Sequence, residues 1–323
     1  MTHAIRFHRT GGPEVLTWEA VEVGAPGPGE ARIRHAAVGL NFIDTYHRSG
    51  LYPVPLPSGI GMEGAGTVVA VGEGVSGLQP GDRVAYAGGP LGAYAEVRNI
   101  PAHRLLKLPD AIDFNTAAAM MLQGLTAAYL LRRTYRVQAG DPVLIHAAAG
   151  GVGLIACQWA KALGATVIGT VGSEAKAELA RAHGCDHVID YSREDFTARV
   201  KAITGEGVAV VYDGVGKDTF MGSLDSLRPF GMMVSYGNAS GPVPPLDILL
   251  LSQKGSLYVT RPTLMTHIAQ RSDLEALGAE LFAVVESGKV KIEVRQTYAL
   301  KDAAQAHIDL EARRTTGSTI LLP

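Results

Sequence analysis

A glycine cluster separates a short apolar run from a helical pattern in Asp141–Leu163, DPVLIHAAAGGVGLIACQWAKAL. Within it, Gly151-Val152-Gly153-Leu154-Ile155-Ala156 matches G-x-G-x-x-G/A. That spacing lets a turn bring backbone N–H groups against a pyrophosphate at a helix N-terminus, where a Cβ would be in the way. A tight packing turn would use the same glycines, so the setting has to decide. Val143 to Ile145 read as a buried strand, and Val152, Ile155, Trp159 and Leu163 recur at helical spacing before Gly164 stops the helix. Ala165 to Thr170 supply the next strand, completing a βαβ unit in which Gly150, Gly151, Val152 and Gly153 would cradle a dinucleotide.

The end of that second strand chooses between the two nicotinamide dinucleotides. A site for NAD usually places Asp or Glu there for the ribose 2′-hydroxyl, and a carboxylate would repel a 2′-phosphate. Here the chain reads Gly169-Thr170-Val171-Gly172-Ser173, with no acid, and Lys176 follows one helical turn later. An ammonium, a hydroxyl and helix N-terminal amides suit the 2′-phosphate of NADPH, which makes Gly172, Ser173 and Lys176 candidates. The alternative is that Ser173 only caps a helix whose Lys176 is solvated. Glu174 is the awkward neighbour; its charge suits the helix N-terminus, and its carboxylate is expected to point away from a phosphate.

Strand and helix alternate regularly around this unit. Ser173 caps a helix running to His183, His187–Asp190 reads as a strand, Asp195–Ile203 as helix, and Val208–Tyr212, Met232–Tyr236 and Leu257–Thr260 as further strands, giving a doubly wound parallel sheet of six strands in an α/β protein. Before it, residues 1 to about 122 hold short β-like runs at Ala31–Val38, Gly66–Val71, Arg83–Tyr86 and Ala93–Val97, separated by Gly/Pro turns. Ala117 to Tyr135 reads as helix. Past Pro262 come a helix at Asp273–Ser287, a strand-like KIEVRQTYAL, a helix at Asp302–Glu311 and a terminal strand, expected to return to the N-terminal domain. The expected domains are thus 1–122 with 263–323, and 123–262.

With 323 residues, 47% hydrophobic and 19% charged, the chain can bury large cores. A formal net charge of −2 gives no footprint for nucleic acid, and no apolar run reaches the about 20 residues of a membrane span. Met1 to Phe7 lacks the apolar core of a secretory signal, and two cysteines, Cys157 and Cys185, are too few for a disulfide framework or a thiolate metal site. A cytoplasmic protein is expected, with Cys157 as a small buried hydrophobe. His183-Gly184-Cys185-Asp186-His187 straddles a helix end, so its side chains should not converge on a metal.

GGPEVL at 11–16, GLNFIDTYHRSGLYP at 39–53, GDRV at 81–84, HAAAGGVG at 146–153, VYDGVG at 211–216, VSYGNASG at 234–241 and LYVTRP at 257–262 together resemble the medium-chain dehydrogenase/reductase superfamily, specifically its zinc-free NADPH:quinone oxidoreductase branch related to zeta-crystallin. The resemblance implies a GroES-like, mostly β catalytic domain beside a Rossmann domain. Where zinc members carry Cys and His ligands, this chain has Asn41 and Gly61-Met62-Glu63, so no catalytic zinc is expected. By resemblance the nicotinamide lies near Asn41, Phe42, Asp44 and Tyr46, with Tyr52 lining the quinone pocket. The alternative for Tyr46 and Tyr52 is packing on a loop, and a pocket-shaping role is favoured over general-acid catalysis. Further cofactor contacts implied are Thr126, Tyr191, Val215, Tyr236, Asn238, Ala239, Thr260, Arg261 and Arg313, with Arg314 adjacent to the last. The edge strand GSLYVT is expected to pair with its twin in a symmetric homodimer. Two rivals remain: reduction of an activated C=C bond in an enone or alkenal, and a non-enzymatic NADPH-binding role, which would need neither Asn41 nor Tyr46.

Overall fold

Val143, Leu144 and Ile145 are fully buried, as the central strand of a parallel sheet covered on both faces must be. The structure is a computed structural model that describes all 323 residues, Met1–Pro323. It divides into two compact units, Met1–Leu125 with Ile268–Glu286 and Ile292–Pro323, and Thr126–His267 with Ser287–Lys291.

In the second unit the apolar runs form a six-stranded parallel sheet. The strands lie in the order His187–Asp190, Thr166–Val171, Pro142–Ile145, Val208–Asp213, Leu227–Ser235 and Tyr258–Thr260. The chain winds outward from Pro142–Ile145 on one side, then returns to its other side with Val208–Asp213. That reversal beside the first strand is the switch point where sheets of this kind bind ligands at the strands' carboxyl ends. Leu144, Ile168, Ile189, Val211 and Met233 pack with Val200, Phe220 and Leu224 from the helices. Gly164, at φ +89°, ends the helix Gly151–Ala162 in a conformation that a side chain would strain.

The first unit is built on a seven-stranded sheet and a smaller three-stranded one. Its long strand Glu30–Leu40 pairs antiparallel with Glu63–Val71, Val97–Pro101 and Ser318–Leu322, and Ser318–Leu322 pairs parallel with Val294–Ala299. The C-terminal strands therefore complete the sheet that the N-terminal strands begin. Leu300, Ala303, Ala306 and Leu321 join Ile5, Phe7, Ile33 and Ile100 in its core.

Two elements differ from expectation. Ala93–Val97 is not a strand; the strand begins at Val97. Its backbone groups serve two different neighbours, Ala93 and Tyr94 N–H donating to Gly61 and Ile60 while the Tyr94 carbonyl accepts from Ile5, so no single ladder forms. The helix expected over 117–135 is broken into Phe114–Ala118, Met121–Tyr129 and a π-helical turn Leu130–Thr134. At the break, the Leu122 N–H donates at 2.7 Å to Oε1 of the buried Glu63. An anion at a helix N-terminus is favourable, and Glu63 is placed to start the second segment.

Candidate functional site

The carboxyl ends of all six parallel strands present sequence-predicted residues. After Ile145 comes the glycine turn, after Val171 Gly172 and Ser173, after Asp190 Tyr191, after Asp213 Val215, and after Ser235 Tyr236, Asn238 and Ala239, while Thr260 and Arg261 close the last strand. Gly150 is the N-cap of Gly151–Ala162 and has no side chain to satisfy the first amides, leaving Gly151, Val152 and Gly153 to present theirs to a ligand. A Cβ on Gly153 would stand 2.3 Å from the Ala147 carbonyl oxygen. The second glycine of the fingerprint is thus needed for close packing of turn on helix. Thr126 is buried, in Met121–Tyr129.

Ser173 caps the helix Glu174–Ala182, its hydroxyl accepting from the Lys176 N–H at 3.4 Å. The Glu174 carboxylate is taken up by Arg181 at 2.9 Å and lies 3.8 Å from Arg193. The Tyr191 hydroxyl packs against Gly172, where an added Cβ would approach it to 2.5 Å. Gly172, Ser173, Lys176 and Tyr191 are therefore one local group. Arg193, unnoticed in the sequence, is a further cation at its edge; its position two residues past Tyr191 was the available signal.

The strand ends are held by a fully buried polar network. The His146 ring bonds the Thr170 hydroxyl at 2.8 Å and the Ser223 hydroxyl at 3.0 Å, and Ser223 donates to Asp213 at 2.9 Å. Asp213 also accepts from the Val215 and Gly216 amides and the Thr219 hydroxyl. Burial lowers the His146 pKa, opposed by the Asp213 charge. A neutral ring in this place fixes the turn carrying Val215, and the Ala239 N–H closes on the Gly214 carbonyl at 3.2 Å, bringing the two segments together.

In the first unit, Asn41 caps the helix Phe42–Ser49. Its N–H donates to Asp44 Oδ2 at 2.9 Å, its Nδ2 to Glu63 Oε2 at 2.6 Å, and its Oδ1 accepts from Gln123 Nε2 at 3.2 Å. Ser318 in turn donates to Gln123 Oε1 at 2.6 Å. Both polar atoms of the Asn41 side chain are thereby held. Phe42, Tyr46 and Tyr52 form an edge-to-face run, with ring centres 5.6 Å and 5.1 Å apart, and His47 meets Tyr52 at 6.0 Å. Asp44 is wholly buried and turned into the core, holding Asn41 rather than facing a ligand. Burial pushes the Asp44 carboxyl up to about 7 and that of Glu63 up to about 8, against hydrogen bonds that favour their charged forms. Arg313, exposed and at φ +58°, follows the helix Ala303–Glu311.

Two family models match the chain, the alcohol dehydrogenase GroES-like domain over residues 27–110 and the zinc-binding dehydrogenase over 151–286. The quinone oxidoreductase of Pseudomonas aeruginosa is 57% identical over the full length of both chains. The chain belongs to the quinone oxidoreductases of the medium-chain dehydrogenase/reductase superfamily. A crystal structure of the Escherichia coli quinone oxidoreductase complexed with NADPH superposes with a TM-score of 0.98 at 53% identity, covering 99% of this chain and all of that one. The 2-haloacrylate reductase of a Burkholderia species is 48% identical over 100% of this chain and 99% of its own.

Although one matching model describes zinc-binding dehydrogenases, the donor set of this family member does not suit zinc. No three His, Cys, Asp or Glu side chains come together to hold a metal ion. Asn41 and Glu63 are bonded to each other and to protein groups, and both cysteines lie buried behind the glycine turn with sulfurs 3.3 Å apart. His183 bonds the Leu179 carbonyl and Asp186 pairs with Lys161, so their sequence cluster is dispersed.

Proposed function

We propose that this chain reduces quinones with NADPH, without a metal, and that its redox step is a two-electron transfer. Its full-length 57% identity to a quinone oxidoreductase, joined to the E. coli structure with NADPH, carries the reading. Bound NADPH would supply a hydride. The Gly151, Val152 and Gly153 amides would hold the pyrophosphate, and Gly172, Ser173, Lys176 and Tyr191 the adenosine 2′-phosphate. Thr126, Val215, Tyr236, Asn238, Ala239, Thr260, Arg261 and Arg313 are assigned to the rest of the cofactor. Asn41, Phe42 and Tyr46 would orient the reacting ring, Asp44 would act through Asn41, and Tyr52 would line the acceptor side. Edge-to-face aromatic rings suit a flat acceptor. The proton that completes a hydroquinone would come from water, since no ionisable group is required at the acceptor.

Lys176→Ala should cut NADPH affinity about 10- to 100-fold, a loss of about 1.5–3 kcal/mol for a charge-assisted contact, and leave NADH affinity unchanged. Titration with both cofactors measures it, and an equal loss for both would remove Lys176 from 2′-phosphate recognition.

A second reading, reduction of an activated C=C bond, is favoured by the 48% identity to 2-haloacrylate reductase. Following NADPH absorbance with a benzoquinone and with an α,β-unsaturated aldehyde separates the two. Oxidation with the quinone supports the main reading, oxidation with the aldehyde alone supports the second, and oxidation with neither rejects both. We also propose a symmetric homodimer through Tyr258–Thr260, the edge strand, near which Tyr258, Ile248 and Leu249 are exposed, and residence in the cytoplasm. No helix is long and apolar enough to cross a membrane.

A further inference from the structure

The Asn41 cap is the near end of a longer buried chain. Tyr94 donates to Asp44 Oδ2 at 2.8 Å, the Tyr94 oxygen lies 3.2 Å from His307 Nε2, and His307 Nδ1 lies 3.0 Å from Arg48 Nη1. Arg48 is itself fixed by Glu311 Oε1 at 2.7 Å and the Gly11 carbonyl at 3.1 Å. Tyr94, Asp44 and His307 are all fully buried, and Arg48 nearly so.

The direction of this chain is forced. A guanidinium can only donate, so His307 Nδ1 must accept and the ring proton must sit on Nε2. That proton points at the Tyr94 oxygen, which leaves the Tyr94 O–H for Asp44. Burial, then the neighbouring Arg48 charge, holds the His307 pKa down at about 3, so the ring stays neutral and cannot become a second donor at Nδ1. Asp44 Oδ2 therefore receives two donors, the Tyr94 hydroxyl and the Asn41 amide, while Oδ1 is buried with no partner. All the polar restraint on the carboxylate is concentrated on the oxygen that holds Asn41.

We infer that Arg48, His307 and Tyr94 are positioning residues for Asn41, acting in one direction through Asp44 and tying the C-terminal helix to the residue assigned to the reacting ring. The inference rests on the proposed function for its catalytic consequence, though not for its geometry. Glu63 and Gln123 fix the Asn41 carboxamide, and this chain fixes its backbone. Neither Tyr94 nor His307 shares a sequence motif with Asn41.

The test compares Tyr94→Phe, His307→Phe and His307→Gln in the full-length protein. Exchange of the Asn41 backbone amide, kcat and KM with NADPH and a benzoquinone, and NADPH affinity by fluorescence are read together. Tyr94→Phe and His307→Phe should speed Asn41 exchange locally and lower kcat about 10-fold, because small misplacements of an orienting group are costly, with NADPH affinity within about 3-fold. His307→Gln offers an acceptor and a donor in similar places and should restore most of both. Tyr94→Phe removes one oxygen, so it decides the matter if His307→Phe unfolds. Unchanged Asn41 exchange in Tyr94→Phe overturns the inference, as does His307→Gln behaving like His307→Phe. If the wild type oxidises NADPH with neither acceptor, the functional reading falls, and the exchange data still decide the positioning.

Discussion

Gly153→Val should lower NADPH affinity by about 100-fold or more, roughly 3 kcal/mol, while the chain still folds. The first atom of the new side chain would sit 2.3 Å from the Ala147 carbonyl oxygen and 2.8 Å from the Ala148 carbonyl. Both obstacles are backbone, so no rotamer change relieves them. Ala147 already holds φ +51° in the left-handed region, which leaves the turn little freedom to retreat without strain. The helix start must move instead, and with it the Gly151 and Val152 amides assigned to the pyrophosphate. Hydrogen bonds to a charged phosphate depend steeply on distance and angle, so the loss falls on binding more than on folding. A fluorescence titration with NADPH measures it, with circular dichroism to check the fold. Native-like affinity in a folded Gly153→Val protein would separate the glycine turn from cofactor binding.

The contrast with the first unit explains what a sequence can reveal. The glycine turn was legible because all its parts, strand, turn and helix, are local, and because a parallel strand buried on both faces must be an uninterrupted apolar run. Strand ends at Asp190 and Thr260, on the two half-exposed edges of the sheet, followed instead from short runs rich in β-branched residues. The capping helix at Ser173 followed from a side-chain hydroxyl competing for its own backbone amide. The environment of Asn41 was not legible, since its partners Glu63 and Gln123, and Ser318 that holds Gln123, lie 22 to 277 residues away along the chain and are brought together only by the fold. The break in the helix expected over 117–135 has the same origin. Its sequence is rich in alanine, methionine and leucine and says helix throughout, yet a buried carboxylate from a distant strand captures the Leu122 amide. Tyr94 was misread for a related reason. An alternating run from Ala93 to Val97 suggests a strand, while the buried hydroxyl is committed to Asp44 and the backbone to two separate neighbours.

As pH rises from about 6 to 9, the wild type should lose about 2 °C of thermal stability relative to Asp44→Asn, which lacks the raised carboxyl. Burial raises the Asp44 and Glu63 pKa values in the folded chain to about 7 and about 8, above the ordinary carboxylate values of 3.8 and 4.5. A raised carboxyl favours the folded state while it is protonated. At pH below the unfolded values both states are protonated and this contribution is complete. As pH rises, the unfolded chain ionises first, so the contribution is lost at about 1 kcal/mol per pH unit per group until the folded carboxyls ionise too. Past about 8 the loss from this pair is finished. The groups facing the pair are Asn41, Tyr94 and each other's carboxyl, with Arg48 and His307 beyond Tyr94. His307 works the other way: its ring is held neutral in the folded chain while the unfolded imidazole still binds a proton below about 6.5, so, like the buried His35, it adds stability as pH rises to about 7.5, a rise common to wild type and variant. An asparagine at 44 can still accept from the Asn41 amide and Tyr94 while placing its NH2 where Oδ1 now lies without a partner. It cannot ionise, so the slope due to this site must disappear. Melting curves of both proteins from pH 6 to 9 decide the point: curves that run parallel would mean that the Asp44 carboxyl is already ionised at pH 6 and that the Asn41 cap is held by a full charge.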